Sequence, residues 1–566
     1  MRFEIKERDG LARVGTLEID GVKHETPTIA YATTQARPAG SLGLSLAGGG
    51  SPGDLVVARS GFDGGDDTDA HLRPGFRGSR YAPVGPEGAF HVLSDPAALL
   101  LDSSAFADAI EAAKGPENLM RPVYLSSAAL PHRLALLAYC GIDVLDSVAI
   151  SMASENGMYL TNSGILDHGR LKALPCSCPA CISGKRGKAE LLAHNQTAAE
   201  DELRHVRHAI AEGRLRELVE ARVRADPWLV QDLRLLDIKH YPLLEMHAPV
   251  KGAPFHAGSK ESLARPEVRR WRQRLEARYM RPPAARILLL IPCSAKKPYS
   301  MSKSHMRFRD AVVSSGAADA VHEVIVTSPL GLVPRELELL YPAQDYDIPV
   351  TGHWDRDEKK LAEEMVTWLV ESQRYDAVIS HLGDEREPVN QVLRDFTDTS
   401  EGNPGSRESL KRLEEALRQH ATGGPDTRHD RWTEDMRSRC RFQFGEPGER
   451  LCDGALVQGR YPNLRITKGG TQLGMLTGDR GLVSLTMDGG RALAPTGAYT
   501  VETEDFELKG NLFAVGVKKA APEIRVGDDV VIAHGGDVRG VGVARMCSAE
   551  MDLAERGEAV RVRHAK

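Results

Sequence analysis

A polar loop at residues 292–305 carries the densest group of reactive side chains in this sequence. It contains one thiol, three lysines, one phenol, one imidazole and four serine hydroxyls. The loop follows an apolar run at residues 286–291, and a run of that length between prolines and a polar loop is typical of a buried parallel strand. Ligands of open α/β sheets bind beyond the carboxyl ends of such strands, so we predict a reactive site here. The alternative is a polar loop that only caps the strand.

We call residues 292–305 the thiol loop, because Cys293 is its predicted nucleophile. Nearby cations favour the thiolate form of a cysteine, and Lys296 and Lys297 lie three and four positions further on. These two lysines and His305 are also predicted to donate protons or to hold a carboxylate. The hydroxyl groups of the loop are predicted to bind substrate. They belong to Ser294, Tyr299, Ser300, Ser302 and Ser304.

Length and composition limit the class of protein. The 566 residues predict roughly three to five domains, and 41% hydrophobic with 27% charged residues is typical of a soluble globular chain. A net charge of −6 excludes a basic field over the whole surface, so nucleic acid would be bound only by local patches. No apolar run reaches the roughly 18 residues of a membrane span. The eight cysteines, three of them clustered, favour a reducing cytoplasm over a disulfide framework.

The clustered cysteines have the spacing of a metal site. Cys176, Cys178 and Cys181 lie close together, and His194 follows them on a predicted helix. Three thiolates and one imidazole fill the tetrahedral shell of Zn²⁺ and leave no open position. We therefore predict a structural zinc ion here, with unligated thiols as the alternative.

The first half of the chain is predicted to be α/β. Residues 1–35 indicate strands, and the Gly-rich residues 40–65 indicate a loop with weak intervening structure. This segment lacks the strand–helix pattern of a phosphate-binding loop. A helix is predicted to begin near Asp102, and residues 122–146 form a βαβ unit. Asp146 ends the last strand of this unit, where barrel enzymes place catalytic groups, although it could also cap the following turn.

Polar segments follow other predicted strands of the second half. Strands at residues 324–327 and 377–382 end in polar residues, and residues 341–349 form a further polar segment. These segments predict one pocket shared by several loops. From about residue 432 the chain changes to short β runs separated by glycine, which predicts a small β barrel or sandwich.

These pieces resemble known families of tRNA-modifying proteins. Residues 1–275 resemble the archaeal tRNA-guanine transglycosylase family at residues 3–13, 143–147 and 261–268 and at the cysteine cluster. In that family the aspartate that matches Asp146 is the nucleophile. The last 80 or so residues resemble a PUA domain, an RNA-binding β barrel. The thiol loop closely resembles the motif of the archaeosine synthase family, and that resemblance extends over nearly the whole chain.

The second resemblance implies a reaction. In archaeosine synthases the substrate is tRNA that carries 7-cyano-7-deazaguanine at position 15, and a nitrogen donor, either lysine or another amine, adds to its nitrile to give an amidine-type product. A radical-SAM partner protein completes the conversion in some lineages. We also expect a homodimer, and we expect RNA phosphates to be bound by the PUA-like domain. The predicted contacts are Lys518, Lys519, Arg525 and Arg539.

Two other functions stay open. One is base exchange by a tRNA-guanine transglycosylase, which requires a second catalytic aspartate in an Asp-Ser-Gly-Gly-type stretch far upstream. Here Asp102 lies only 44 positions before Asp146 and is predicted to cap a helix, so we expect Asp146 to be a relic or a binding residue. The other is a non-catalytic tRNA-binding subunit.

The expected architecture is a multidomain α/β chain. It combines a reduced TIM-barrel-like transglycosylase domain with a zinc site, a central α/β catalytic domain, and a C-terminal β-rich PUA barrel. The predicted domains are residues 1–275, 276–425, 430–485 (a small α+β linker domain) and 486–566.

Overall fold

The computed structural model describes residues 1–33, 36–46, 51–59, 81–83, 90–93, 99–349, 353–400, 402–421 and 428–566. Contacts divide the chain into two units, Met1–Ala248 and Pro249–Lys566. No helix in these described stretches is long and apolar enough to cross a membrane.

A largely parallel sheet forms the centre of the first unit. The strands of this unit are β1 (Arg2–Asp9), β2 (Ala12–Ile19), β3 (Val22–Thr26), β4 (Thr28–Ala32), β5 (Leu42–Leu46), β6 (Leu55–Arg59), β7 (Tyr81–Pro83), β8 (His91–Leu93), β9 (Val123–Leu125), β10 (Val144–Asp146), β11 (Met158–Thr161) and β12 (Gly164–Asp167). The seven-stranded sheet has the order β7-β6-β5-β4-β10-β9-β8, and only β7 is antiparallel to its neighbour. An antiparallel sheet β1-β2-β3 precedes it, and the hairpin β11-β12 follows it.

The helices of the first unit cover this sheet and build its core. They are α1 (Ser103–Ala113), α2 (Pro131–Tyr139), α3 (Val148–Glu155), α4 (Pro179–Ile182), α5 (Lys188–Ala211), α6 (Leu215–Arg222), α7 (Pro227–Lys239) and α8 (Tyr241–His247). Helix α2 begins with a proline in its first turn, where the missing N–H costs nothing, and buries its leucines against the sheet. The predicted helix start at Asp102 is confirmed, because its carboxylate accepts hydrogen bonds from two backbone N–H groups of α1.

The prediction of a loop over residues 40–65 is wrong in part. Strands β5 and β6 lie in this segment, and Leu42 and Leu55 are buried in the sheet. Strand formation depends more on packing against neighbours than on local propensity, so the glycines did not prevent it. Residues 47–50 and 60–65 lie outside the described residues.

A second sheet carries the thiol loop. The strands of the central part of the second unit are β13 (Phe255–His256), β14 (Ile287–Pro292), β15 (Val321–Thr327), β16 (Gly331–Pro334), β17 (Tyr346–Asp347), β18 (Ala377–Ser380) and β19 (Thr397–Asp398). The five-stranded sheet has the order β16-β15-β14-β18-β19, with β16 antiparallel and the other strands parallel. Strand β13 pairs with β17.

The helices of this part place the thiol loop at a crevice. They are α9 (Pro266–Arg278), α10 (Lys303–Ser314), α11 (Arg356–Gln373), α12 (Arg386–Val392), α13 (Arg407–Arg418) and α14 (Arg428–Phe444). Helix α10 packs with α13, and α11 packs with α12. Because parallel strands are joined by right-handed crossovers, these two pairs lie on opposite faces of the sheet. The chain leaves β14 towards β15 and returns on the other side at β18, so the loop after β14 lies at a topological switch point.

Helix α9 belongs to the second unit, although the predicted first domain ends at residue 275. Trp271 and Leu275 of this helix pack in the same core as β14. The contact boundary therefore lies upstream of the predicted one, and the four predicted domain ranges stay predictions.

The end of the chain is β-rich, as predicted. An antiparallel sheet runs β20-β21-β22-β23, and a six-stranded sheet has the order β25-β29-β28-β27-β24-β26 around α15 and α16. The bounds are β20 (Leu456–Arg460), β21 (Asn463–Lys468), β22 (Thr471–Leu476), β23 (Val483–Leu485), α15 (Met487–Leu493), β24 (Thr500–Thr503), β25 (Leu512–Phe513), β26 (Val517–Ala520), β27 (Asp529–His534), β28 (Asp537–Ala544), α16 (Ser548–Leu553) and β29 (Glu558–Ala565).

Candidate functional site

The thiol loop is anchored at both ends by regular structure. Cys293 follows the last residue of β14, is half-buried, and packs against the core of the central sheet. The loop ends at helix α10, where the Ser302 hydroxyl accepts the N–H of His305 at 3.2 Å and caps the helix. The reactive side chains are therefore carried by a short, supported segment.

Lys297 is a half-buried lysine of this loop that lies near the thiol. Its Nζ atom lies 4.1 Å from the ring centroid of Tyr346 and 5.7 Å from that of Tyr299. Burial lowers the pKa of the Lys297 ammonium, whereas the charges of Cys293 and Asp347 raise it. A lysine whose pKa is lowered can accept and return protons closer to neutral pH than an exposed one.

Tyr299 supports this arrangement from inside the core. It is fully buried, and its hydroxyl contacts the hydroxyls of Tyr346 and Thr327. The Tyr346 hydroxyl lies 2.6 Å from Thr327 Oγ1. Burial raises the pKa of Tyr299 well above its ordinary value, so the phenol keeps its proton. Its geometry favours a role in fixing the Tyr346 ring beneath Lys297 over the predicted direct contact with substrate.

His305 is buried and uncharged. Its Nδ1 atom accepts a hydrogen bond of 2.8 Å from Arg335 Nη2. Burial, together with the Arg335 charge, lowers the pKa of His305 to about 2. An imidazole with that pKa stays neutral at neutral pH and does not form the imidazolium that a general acid needs, so the geometry favours a structural role over the predicted acid role.

A buried ion-pair network lies beneath the loop. Arg335 donates to Glu323 at 2.8 Å and to Glu338 at 2.9 Å. The Glu338 carboxylate is completely buried and also accepts the Ser300 N–H at 2.9 Å and the Tyr461 hydroxyl at 2.6 Å. Ser300 is thus held through its backbone, and Glu338 links the thiol loop to the turn between β20 and β21.

The other predicted loop residues lie towards solvent. Lys296 is exposed, and its carbonyl accepts the Ser294 hydroxyl at 3.0 Å. Ser304 is half-buried, and its hydroxyl lies 3.2 Å from that of Ser302. Of the lysines in positions 296 and 297, only the second is half-buried.

Asp146 lies in the first unit and is 1% exposed. Its Oδ2 atom accepts the Tyr124 hydroxyl at 2.6 Å, and its Oδ1 atom accepts the N–H groups of Ser127 at 2.9 Å and Val148 at 3.1 Å. Three donors and the lack of exposure leave this carboxylate no free path to a substrate carbon. Of the two predicted roles, relic or binding residue, this geometry favours the relic.

The four predicted metal ligands converge in the first unit. Sulfur atoms of Cys176, Cys178 and Cys181 and the Nδ1 atom of His194 all lie within 4.8 Å of one another. His194 Nε2 lies 3.0 Å from the Leu160 carbonyl, which accepts its proton and leaves Nδ1 as the ligand atom. The donor set fits a tetrahedral metal ion with no open position.

Neighbouring groups keep these ligands in place. The Tyr159 ring stacks on His194 with centroids 3.7 Å apart, and its hydroxyl lies 3.2 Å from the Cys181 sulfur. The Asn195 amide accepts the Leu160 N–H at 2.8 Å and donates to the Met158 carbonyl at 2.9 Å. The hairpin β11-β12 and helix α5 are therefore tied together beside the cluster.

The predicted RNA contacts of the C-terminal domain differ in availability. Lys518 and Lys519 are exposed on β26. Arg525 donates to the Pro522 carbonyl of its own loop at 2.8 Å, and Arg539 pairs with Asp505 at 3.1 Å. The two lysines are thus better placed for phosphate than the two arginines.

Tyr346 and Asp347 belong to the candidate site but were not singled out as site residues from the sequence. Both stand in the polar segment 341–349, which was predicted to contribute to a shared pocket. The pairing of β17 with β13 brings them to Lys297, and such long-range pairing has no local signal. The local sequence around Glu338 also does not indicate its role, because its partners Ser300 and Tyr461 are distant in sequence.

The comparisons with known proteins define the class first. Family models match residues 98–227 (Queuine tRNA-ribosyltransferase), 268–417 (Domain of unknown function, DUF5591) and 498–566 (PUA domain). The chain is therefore a multidomain protein. Along the sequence, a transglycosylase-type α/β domain precedes the domain of the thiol loop, and a PUA domain follows it.

Relatives identify the family. The chain is 37% identical to "Archaeosine synthase subunit alpha" of Methanosarcina acetivorans (78% of this chain, 74% of that protein) and 35% identical to "Archaeosine synthase" of Haloferax volcanii (84% and 82%). It is 28% identical to "tRNA-guanine(15) transglycosylase" of Methanobrevibacter smithii (78% and 66%). A crystal structure of a protein of unknown function matches with 28% identity and a TM-score of 0.41, over 52% of this chain and 98% of that one. The chain belongs to the archaeosine synthase family.

Proposed function

We propose that this chain is a tRNA-modifying transferase of archaeosine biosynthesis that adds an amine to the nitrile of 7-cyano-7-deazaguanine at position 15 of tRNA. Family membership supports the pathway, and the PUA match supports an RNA substrate. The observation that carries the chemistry is the half-buried Lys297 beside Cys293 and over the Tyr346 ring, at the switch point of the central sheet.

The chemistry requires a nucleophile at the nitrile carbon and a proton for the nitrile nitrogen. In the covalent route Lys297 takes the Cys293 proton, and the thiolate forms a C–S bond to the nitrile carbon. The Lys297 ammonium then returns that proton to the nitrogen, which gives a thioimidate. The donor amine adds to the same carbon, the C–S bond breaks, and the surplus amine proton returns to the thiolate by way of Lys297. The sum is addition of the whole donor, with no leaving group.

A direct route uses the same residues differently. The donor amine attacks the nitrile itself, Lys297 supplies the proton to nitrogen, and Cys293 only lines the site. Both routes need Lys297, so its replacement tests the proposed function, whereas replacement of the thiol separates the routes.

Lys297→Met removes the amine and keeps an apolar stem of similar length. We expect at least about a 100-fold loss of single-turnover rate at saturating tRNA, the lower range for general acid–base catalysis. Lys359→Met on helix α11 is the matched control, because Lys359 is exposed and lies outside the candidate site, so its replacement should leave that rate within a few-fold. Equal rates for the two variants would refute the assignment.

Cys293→Ser distinguishes the two routes. The covalent route predicts near-complete loss of turnover with unchanged tRNA affinity, and a protein–RNA adduct when wild type meets substrate tRNA without donor. Near-normal turnover in the serine variant would remove the thioimidate from the mechanism and leave the loop as a donor-binding site.

Base exchange is the alternative reaction, and the 28% identity to a tRNA-guanine(15) transglycosylase supports considering it. Base exchange would need Asp146 as an accessible nucleophile, but this carboxylate is buried and accepts three hydrogen bonds. Efficient incorporation of free 7-cyano-7-deazaguanine into unmodified tRNA by this chain alone would favour it over amine addition. A non-catalytic subunit is the third reading, and unchanged archaeosine in cells that carry Cys293→Ser together with Lys297→Met would favour that one.

We further propose that the metal held by the cysteine cluster is Zn²⁺. Three thiolates with one imidazole are the ligand set that structural zinc prefers, and a closed shell gives the ion a role in folding. Metal analysis of purified protein should find one zinc per chain, and its absence would refute the proposal.

The nitrogen donor, the partner and the oligomer also belong to the proposal. An amino-acid donor such as lysine, a homodimer and a cytoplasmic location follow the sequence-based expectations. A partner such as a radical-SAM protein is supported by the name of the Methanosarcina relative, which calls that protein a subunit.

A further inference from the structure

The thiol loop and the first turns of helix α10 carry a local excess of positive charge at the entrance to the candidate site, which we call its mouth. Between residues 292 and 309 there are five lysines and arginines and no carboxylate, in a chain whose net charge is −6. One of the five, Lys297, is turned inward to the candidate site. Arg309 is exposed, and its charge acts on the buried Glu323. The other three, Lys296, Lys303 and Arg307, are also exposed.

These three cations form what we call the mouth cations, and none has an ion-pair partner among the described residues. Elsewhere in the second unit exposed cations are commonly paired, for example Lys360 with Glu364 at 3.4 Å and Lys411 with Glu415 at 3.6 Å. Unpaired cations that cluster at a reactive loop mark an anion-binding surface.

Helical spacing puts two mouth cations on one face. Lys303 and Arg307 are four residues apart on α10, so their side chains are neighbours on the same side of the helix. A Cβ atom added to Gly405 would lie 3.5 Å from Arg307 Nη1, which places the Arg307 head beside the loop that follows β19. That loop leaves the same edge of the sheet as the thiol loop, so the face borders the candidate site.

We propose that the mouth cations bind the phosphate backbone of the substrate tRNA around the modified nucleotide. This inference rests on the proposed function, because it takes the substrate to be a polynucleotide. A single donor carboxylate would need one cation in a pocket, whereas exposed cations that include two neighbours on one helix face fit successive phosphates. The contact carries no sequence information and serves to hold the nitrile-bearing nucleotide over the thiol loop.

The test measures tRNA affinity as a function of salt, without any turnover. Lys303→Gln and Arg307→Gln each remove one charge and keep a good helix former. Each lost phosphate contact should reduce the salt slope of log K by about 0.7 to 0.9 and weaken binding by roughly tenfold at about 0.1 M salt. The double variant should show about twice the change in slope, equally for tRNA with and without the nitrile.

Lys359→Gln is the matched control. Lys359 is exposed on α11, without an ion-pair partner among the described residues, and α11 lies on the opposite face of the sheet from α10. Its affinity and slope should equal those of wild type. An unchanged affinity and slope in the double variant would overturn the proposal and would assign the mouth cations to another partner, such as an acidic protein surface.

The outcome is independent of the chemistry. Wild type could form no amidine while the double variant loses tRNA affinity and has a smaller salt slope. The proposed reaction would then be wrong, and the mouth cations would still be a tRNA-binding surface. If wild type is active and the double variant binds like wild type, the reaction stands and the surface assignment fails.

Discussion

Replacement of His305 tests whether this imidazole is a buried acceptor or a catalytic acid. In the structure it is 1% exposed and accepts a hydrogen bond from Arg335. His305→Asn keeps an oxygen that can accept this bond and removes the titrating ring. We therefore expect the variant to fold, to be less stable at pH 7 because packing is lost, and to lose less stability in acid.

The magnitude follows from the two pKa values. Burial, with the Arg335 charge, lowers the pKa of His305 from 6.5 to about 2. Because the folded-state pKa is depressed, the unfolded chain binds more protons between these values, and the stability contributed by neutral His305 is lost as the pH falls below 6.5. One pKa unit corresponds to about 1.4 kcal/mol, so a change from about pH 7 to about pH 5 removes about 2 kcal/mol.

Urea unfolding followed by tryptophan fluorescence at several pH values measures this loss. The decrease in unfolding free energy between pH 7 and pH 5 should be about 2 kcal/mol smaller in His305→Asn than in wild type. Burial also lowers the pKa of His381, to about 4, but that residue is present in both proteins and cancels in the difference. The exposed His564, replaced by Asn, serves as control. The same pH dependence in wild type and His305→Asn would mean that the pKa of His305 is close to 6.5 in the folded state as well, and the acid role would then stand.

Three further predictions concern other parts of the molecule. Asp146→Asn should reduce turnover less than Lys297→Met, because Asp146 is already saturated by hydrogen bonds; complete loss of turnover with retained tRNA binding would contradict this. Cys178→Ser should lower the zinc content and the thermal stability of the first unit, as measured by metal analysis and by limited proteolysis, and a stable, fully metallated variant would refute the cluster. Tyr461→Phe should destabilise the second unit by about 1 to 2 kcal/mol and slow turnover, because it removes a donor from the buried Glu338 that holds the thiol loop; a variant identical to wild type in urea unfolding and in turnover would exclude this support.

Local sequence patterns were enough to predict the strand and helices that carry the candidate site residues. The apolar run after the prolines predicted strand β14, and residues 122–146 predicted the βαβ unit that contains helix α2. The cysteine spacing and the helical His194 gave a ligand set that converges in the structure. In each case the determining residues are close in sequence, or their type restricts the chemistry strongly.

Residues that act through distant contacts could not be found in this way. Tyr346 reaches Lys297 only because β17 pairs with β13, and Glu338 reaches Ser300 only through the packing of the segment after β16. Burial likewise favours structural roles for His305 and Tyr299, whose residue types alone suggested an acid and a substrate contact.

The mass of the modified nucleoside tests the central claim most directly. Purified chain is incubated with tRNA that carries 7-cyano-7-deazaguanine and, separately, with lysine, glutamine or ammonia, and the nucleosides are then weighed by mass spectrometry. Addition across the nitrile expels nothing, so the account predicts a gain equal to the whole mass of one donor, which is lost in Lys297→Met. Release of the free base, or an unchanged nucleoside with every donor, would contradict it.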